Sequence, residues 1–232
     1  MIENEFLYKR YDFDNQDLFS GLPDAICEKI TTYRITKQYQ AGQSIFIEGE
    51  VPMGVYRVKK GKVKKFTETN FGTEHIFYIC KEGEYLGYHA LLGEEVYADA
   101  ASALTDCEIE FIPKKDFCEA LETSHILSKR LLKSLGHEFS VFINATKLLA
   151  KYTVRERAAL NLLILESKFR ENTHRETEII INRDDFASMV GTAKESLVRM
   201  LKDFKEENLI VTRGRVIIIK DLKGLVKVSN FR

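Results

Sequence analysis

Several things are scarce in this chain. No apolar stretch approaches the roughly 20 residues that a membrane-spanning helix needs, and the N-terminus lacks the apolar core of a secretory signal. A cytoplasmic protein without a membrane partner is therefore expected. The four cysteines, Cys27, Cys80, Cys107 and Cys118, show no C-x-x-C spacing, which argues for buried free thiols rather than a zinc or redox motif. Prolines number only three in 232 residues, and there is no low-complexity segment. Two domains of ordinary size fit that length. The five histidines include no H-x-H pair, so a cupin-like metal enzyme lacks its ligand cluster, and no nucleophile–base pair stands out. Neither a metal-ligand cluster nor a catalytic residue is expected. Net charge is absent too, with 35 basic and 35 acidic residues, so bulk composition gives no hint of nucleic acid.

What is present is concentrated near the C-terminus, between Asn182 and Arg199. The β-branched run Ile179-Ile180-Ile181 favours a strand. Asn182 then offers an N-cap oxygen, and Asp184 and Asp185 fall in the first turn, where the helix dipole favours negative charge. Phe186 and Val190 share a face. Gly191 can take the left-handed conformation that ends a helix. Thr192 with Glu195 three residues later forms a capping-box pattern, which predicts a second helix starting there. Leu197, Met200, Leu201 and Phe204 supply its buried face. Lys194, Glu195, Arg199 and Lys202 are left to point away.

Two helices joined by a short glycine turn make a helix-turn-helix, whose second helix reads base edges in the major groove. Lys194 and Arg199 can donate to guanine O6 and N7, and Glu195 can accept from cytosine N4. The bland alternative is a helical hairpin in which Glu195 only caps. Downstream, Asn208–Thr212 and Val216–Ile219 flank Arg213-Gly214-Arg215, which reads as a β-hairpin with two arginines at its tip. Such a wing can touch phosphate; a solvated turn is the equal alternative. Residues 153–232 carry 16 lysines and arginines against 12 acidic residues, and the rest of the chain carries 19 against 23. The small basic excess sits with the reading head.

Residues 31 to about 112 have another texture. Short runs rich in Val, Ile, Phe, Tyr and Thr alternate with glycines; Ser44–Glu48, Val55–Lys59, Lys62–Glu68, Glu74–Cys80 and Cys107–Ile112 are examples. Many short strands at near-regular spacing predict a sandwich, barrel or jelly roll. Before them, Leu18, Phe19, Leu22, Ile26 and Ile30 suggest short helices. After them, Leu132, Leu135, Phe139, Phe142, Thr146 and Leu149 recur at spacings of 3 and 4. That is a coiled-coil seam. It can pack on its own roll or pair with a second copy; pairing fits better, because one helix-turn-helix reads few bases and a symmetric dimer reads two half-sites roughly 34 Å apart.

This layout resembles the catabolite activator (CRP/FNR) family of bacterial transcription regulators over roughly residues 30–225. The residues that carry the resemblance are Gly42–Glu50, Tyr56–Val63, Gly83–Gly87, Thr153–Arg157 and Val190–Arg199. The resemblance implies an α+β chain: a cyclic-nucleotide-binding-like β-roll (jelly roll) over 1–124, a dimerisation helix over 125–152, and a winged helix-turn-helix over 153–232. It places DNA contacts at Thr192, Lys194, Glu195, Arg199, Lys202, Arg213 and Arg215. The family's base-reading positions map onto Lys194, Glu195 and Arg199. The cAMP-responsive member has arginine where Lys194 stands, and lysine lacks the bidentate fork. The matching Glu and Arg imply a half-site with a TGA-like core. Partners implied are double-stranded DNA with an inverted repeat, a second copy of the chain, and RNA polymerase.

The effector pocket departs from the family. By resemblance it includes Gly87, Tyr88, His89, Ala98, Asp99 and Phe142. Cyclic-AMP binders have glutamate where Tyr88 stands and an arginine–serine pair where Ala98-Asp99 stands. Without the arginine the charge-assisted bond to phosphate is lost, and Asp99 repels the anion. The helix offers Val141, Phe142 and Ile143 where relatives present hydroxyls to adenine. These departures argue against cAMP. An iron–sulfur cluster is argued against by the missing N-terminal cysteine cluster. His89 falls where carbon-monoxide-sensing relatives place an axial haem ligand, with Met53, Cys80 or the partner chain as the second; a packed or hydrogen-bonded histidine is the alternative. The cofactor is otherwise unknown. The expectation is thus a non-enzymatic, homodimeric DNA-binding regulator whose roll senses an effector other than cAMP. A haem-based gas or redox sensor of the same family is the variant. A ligand-binding module or cupin-like enzyme that does not touch DNA is the rival from another class.

Overall fold

The computed structural model describes residues 10–68, 72–171 and 176–230. They form two compact units. One holds residues 13–68 and 78–139; the other holds 140–230 with the short stretches 10–12 and 72–77.

The first unit opens with a 3-10 turn, Gln16–Phe19, and α1, Asp24–Thr32. Leu18, Leu22, Ile26 and Ile30 are buried, as their spacing predicts. Eight strands follow: β1 (Ile35–Tyr39), β2 (Ser44–Phe46), β3 (Gly54–Lys60), β4 (Val63–Glu68), β5 (Glu74–Cys80, of which 74–77 belong to the second unit), β6 (Tyr85–Leu86), β7 (Ala100–Ala103) and β8 (Cys107–Pro113). They lie in two four-stranded sheets, ordered β1-β8-β3-β6 and β2-β7-β4-β5. This is the expected roll. Both faces of the β3–β8 sheet are covered: Val58 of β3 with Cys107 and Ile109 of β8 lie on one face, Val55 with Ile112 on the other, and these and Val63 of β4 are all at most 2% exposed. Gly61 turns β3 into β4 with φ +91°, and a Cβ there would lie 2.4 Å from the Asp106 carbonyl. Only glycine fits that close approach.

Three strands escape the sequence patterns, each for a physical reason. β1 exposes nearly every residue, so it shows no apolar alternation. β6 has two residues. β7 is Ala-Ala-Ser-Ala, wholly buried but without β-branched side chains. The run expected over Ser44–Glu48 ends at Phe46, because the turn at Gly49 (φ +86°) begins the departure. Two of the expected buried thiols, Cys80 and Cys107, are buried; Cys27 and Cys118 are only half-buried, and all four are free.

Helices α2 (Tyr88–Gly93) and α3 (Lys114–Thr123) complete the roll unit, together with the first half of α4 (His125–Lys151). Ser124 Oγ accepts the Leu127 amide at 3.3 Å and starts α4. Along α4 the buried stripe is Leu127, Leu131, Val141 and Leu148. The predicted seam lies elsewhere on the helix: Leu132 is 70%, Phe139 66% and Leu149 45% exposed, Thr146 is exposed, and Leu135 and Phe142 are half-buried. No helix among the described residues is long and apolar enough to cross a membrane.

The second unit is built on α5, Val154–Phe169. Its start carries a full capping box: the Thr153 hydroxyl accepts the Glu156 amide, and the Glu156 carboxylate accepts the Thr153 amide at 2.7 Å. This satisfies two otherwise orphaned donors. Then come β9 (Ile179–Ile180), α6 (Arg183–Val190), α7 (Lys194–Glu206), β10 (Ile210–Arg213), β11 (Val216–Ile219) and α8 (Leu222–Ser229). The strands make one small antiparallel sheet, β10-β11-β9. Helix α8 lies against α5.

Candidate nucleic-acid interface and roll interior

Local chemistry sets the geometry of α6 and α7. Asn182 caps α6, its side-chain oxygen accepting the Asp185 amide at 2.7 Å. Gly191 ends α6 in the left-handed region at φ +68°. The Thr192 amide donates to the Ala187 carbonyl (3.1 Å) and the Gly191 amide to that of Ser188 (3.3 Å), a Schellman-type closure. The expected capping box at Thr192 and Glu195 does not form. Ala193 is the N-cap and makes no side-chain cap bond. The Thr192 amide is used to close the preceding helix, so α7 starts one residue later than the pattern suggests.

The faces of α7 divide as expected. Leu197, Leu201 and Phe204 are buried and Met200 is half-buried. Lys194, Glu195, Arg199 and Lys202 are exposed on the other side. None of the basic tips is idle: Lys194 Nζ sits 2.9 Å from Asp184 Oδ2, Lys202 Nζ 3.7 Å from Glu206 Oε1, and Arg199 Nη2 3.4 Å from Ser196 Oγ. These contacts are solvent-exposed and weak, so an anionic partner can displace them. The wing forms with Gly214 at its tip (φ +58°) and Arg213 and Arg215 exposed beside it.

Two arginines that the sequence patterns did not single out hold this head together. Arg157, on α5, donates from Nε to the Val190 carbonyl (2.8 Å), from Nη1 to Tyr152 (2.8 Å) and from Nη2 to Gly191 (3.0 Å). It clamps the turn between α6 and α7. Arg183 reaches from α6 to the wing, its Nη2 donating to the Gly214 carbonyl at 2.9 Å. Only the site of Arg157 in the Thr153–Arg157 motif hinted at a role.

Comparison with known proteins fits this geometry. The family description "Cyclic nucleotide-binding domain" matches residues 36–124, and "Crp-like helix-turn-helix domain" matches residues 156–228. The chain belongs to the CRP/FNR family of transcription regulators. It is a DNA-binding transcriptional regulator of that family. Among curated relatives it is 25% identical to the fumarate and nitrate reduction regulatory protein of Yersinia pestis over 197 residues, covering 83% of this chain and 78% of the relative. The fold is shared with FixK2 of Bradyrhizobium japonicum (TM-score 0.73, 19% identity, 84% of this chain and 96% of that one). It is also shared with the c-di-GMP responsive global regulator CLP of Xanthomonas campestris (TM-score 0.71, 21% identity, 86% of this chain and 100% of that one).

In this CRP/FNR chain the roll interior is occupied by its own polar groups. Lys65 of β4, 1% exposed, holds its ammonium 2.5 Å from Asp99 Oδ2. Asp99 Oδ1 has no hydrogen bond, and His89 Nε2 stands 3.5 Å from it. Burial, reinforced by the Lys65 charge, pushes the His89 pKa below its ordinary value; Asp99 opposes this less strongly. Tyr88 is buried, and its hydroxyl donates to Glu138 Oε2 at 3.0 Å. Tyr78 donates to the other oxygen of Glu138 at 2.5 Å. Burial first, and then the Glu138 charge, holds both phenols well above pKa 10. Asn15 fastens the same region, donating to the Tyr85 carbonyl (2.8 Å) and the Tyr88 hydroxyl (3.3 Å).

Of the expected pocket residues, Gly87, Tyr88, His89 and Asp99 thus gather in the roll unit. Ala98 is exposed. Phe142 belongs to the other unit, where its ring packs edge-on against Phe77 at 5.5 Å. Lys65 and Glu138 were not foreseen. A lysine or glutamate in a strand or helix normally reads as solvated, and only knowledge of its partner shows it to be interior.

Proposed function

We propose that this regulator acts as a homodimer on an inverted-repeat DNA site, with α7 in the major groove and Lys194, Glu195 and Arg199 reading bases. The observation that carries the reading is the exposure of those three polar tips on a helix whose opposite face buries Leu197, Leu201 and Phe204. Thr192, Lys202, Arg213 and Arg215 supply phosphate contacts, which position the head without specifying sequence. The exposed seam of α4, with Leu132 and Phe139 most open, supports pairing with a second copy. Exposed rings and leucines in one stripe mark an interface.

The roll senses something other than cAMP. Tyr88 stands at the family's ribose-binding position with its hydroxyl engaged by Glu138, Ala98 brings no charge, and Asp99 is an anion whose partner Lys65 is already paired. A cyclic phosphate has no cation to meet there. Haem is also poorly served: the Nε2 of His89 faces the Asp99 carboxylate, and Met53 is 68% exposed on the surface. A histidine packed in the roll, its Nε2 3.5 Å from Asp99 Oδ1, is the better-supported reading.

Arg199→Ala tests the DNA reading. It should cost about 1–3 kcal/mol of specific binding while non-specific affinity changes less. If both fall equally in competition gel shifts, Arg199 is a phosphate contact and the assignment of base reading fails.

A further inference from the structure

The roll unit has a recess apart from the Lys65–Asp99 pair. It is a cavity of about 140 Å³ lined by Lys37 and Tyr39 of β1, Ile45 of β2, Tyr56 of β3, and Ile109 and Phe111 of β8. The register explains the grouping. Lys37 lies opposite Ile109, and both Ile35 and Tyr56 lie opposite Phe111, so these side chains share the inner face of one sheet. Ile45 closes the recess from the other sheet. Ile109 (1% exposed) and Ile45 (8%) form the floor. The rings of Tyr56 and Phe111 meet at 5.1 Å and 53° to make one wall.

We infer that this recess binds a single-ring aromatic carboxylate. Size points to one ring: a cavity of roughly 150 Å³ lined by apolar side chains takes up benzene, and drug-sized ligands need about 300 Å³ or more. A nucleotide does not fit. The walls favour an aromatic guest, because ring pairs in tilted or offset contact gain beyond simple burial. The polar groups favour an acid. Lys37 is exposed at the mouth and makes no ion pair among the described residues. The hydroxyls of Tyr39 and Tyr56 likewise have no hydrogen-bond partner among them. Burial, followed by the fields of Tyr39 and Glu50, raises Tyr56 to about 12, so its hydroxyl stays a donor at neutral pH. One ammonium and two phenols among the residues lining an aromatic slot match a ring bearing a carboxylate. Glu50 works against the anion, but its Oε2 is taken by the Ile47 amide at 3.2 Å. The inference is independent of the DNA reading.

The test titrates the full-length protein with 4-fluorobenzoate and, separately, 4-fluorobenzamide, following the fluorine resonance and the heat of binding. The acid should bind saturably at one site per chain. The neutral amide should bind about 2- to 5-fold more weakly, the range expected for one solvent-exposed charge contact. Lys37→Gln should remove the preference for the acid and leave amide affinity unchanged. Ile45→Phe, which fills the floor, should abolish both; Tyr39→Phe, which changes only a hydroxyl, should weaken the acid and serves if the larger substitution fails to fold. Absence of saturable binding, equal affinity for acid and amide, or acid binding that survives both Lys37→Gln and Tyr39→Phe unchanged would overturn the assignment.

Discussion

Replacing Arg157 by methionine keeps an unbranched apolar stem against α5 and removes only the guanidinium. Three hydrogen bonds go with it, to the carbonyls of Val190, Tyr152 and Gly191 at 2.8–3.0 Å. A typical intramolecular hydrogen bond contributes about 0.5–1.5 kcal/mol net. Charge strengthens these three, and partial exposure of the guanidinium weakens them, so about 1 kcal/mol each is a fair figure. The Val190 carbonyl lies at a residue with 0% exposure, and losing its partner adds a desolvation cost. The three bonds alone sum to about 3 kcal/mol of stability in the DNA-binding unit, and the desolvation cost comes on top. With a slope of about 1–3 kcal/mol/M in urea, the midpoint for that unit should fall by roughly 1–3 M. Amide exchange at Gly191 and Thr192 should accelerate first, because the clamp holds that turn. Arg157→Lys should recover less than half of the loss, since an ammonium lacks the planar fork. A methionine variant within 0.5 kcal/mol of the parent by the criterion for neutral surface changes, or a lysine variant equal to the parent, refutes the clamp.

Other outcomes follow from the same structure. Lys65→Met leaves Asp99 buried and unpaired, at a cost of about 3–5 kcal/mol; adding Asp99→Leu should restore most of it, as thermal melts will show. Because burial lowers the His89 pKa, the folded state favours neutral imidazole. Its contribution is complete above the unfolded value of about 6.5 and is lost as pH falls below that; denaturation midpoints should drop on acidification, and less so in His89→Gln. At the other end, Tyr85 is raised to about 12 by burial. Its contribution is present below about pH 10 and is lost between there and pH 12, so phenolate absorbance of the folded protein should lag that of the urea-unfolded chain. Phe139→Glu places a charge in the exposed seam of α4 and should shift the protein to monomer by sedimentation; a variant dimer as stable as the parent's would remove the seam from the interface.

The reading head was largely legible because its signals are local. Asn182, Asp185 and Gly191 act within a few residues of themselves, and the apolar face of α7 is written at helical spacing. The one local signal that misled, Thr192 with Glu195, has the right residues at the right distance. Closure of α6 claims the Thr192 backbone first, a competition the pattern cannot display. In the roll, strands with branched residues announced themselves, and the alanine strand β7 did not. The polar interior was hidden for a different reason. Lys65 meets Asp99 across 34 positions of sequence, and Tyr78 meets Glu138 across 60, so neither pair exists for any local window. Arg157 belongs with them: its targets Val190 and Gly191 come together only in the folded unit.

In the proposed mode of action, paired copies of this chain read bases through α7. Selection from a random double-stranded DNA pool by the purified full-length protein, followed by sequencing of the bound fraction, tests it most directly. Enrichment of an inverted repeat whose half-site centres lie about one helical turn, roughly 34 Å, apart is expected. Arg199→Ala should relax preference at a defined base pair in each half. No enriched sequence, or enrichment of a site without two-fold symmetry, would contradict it.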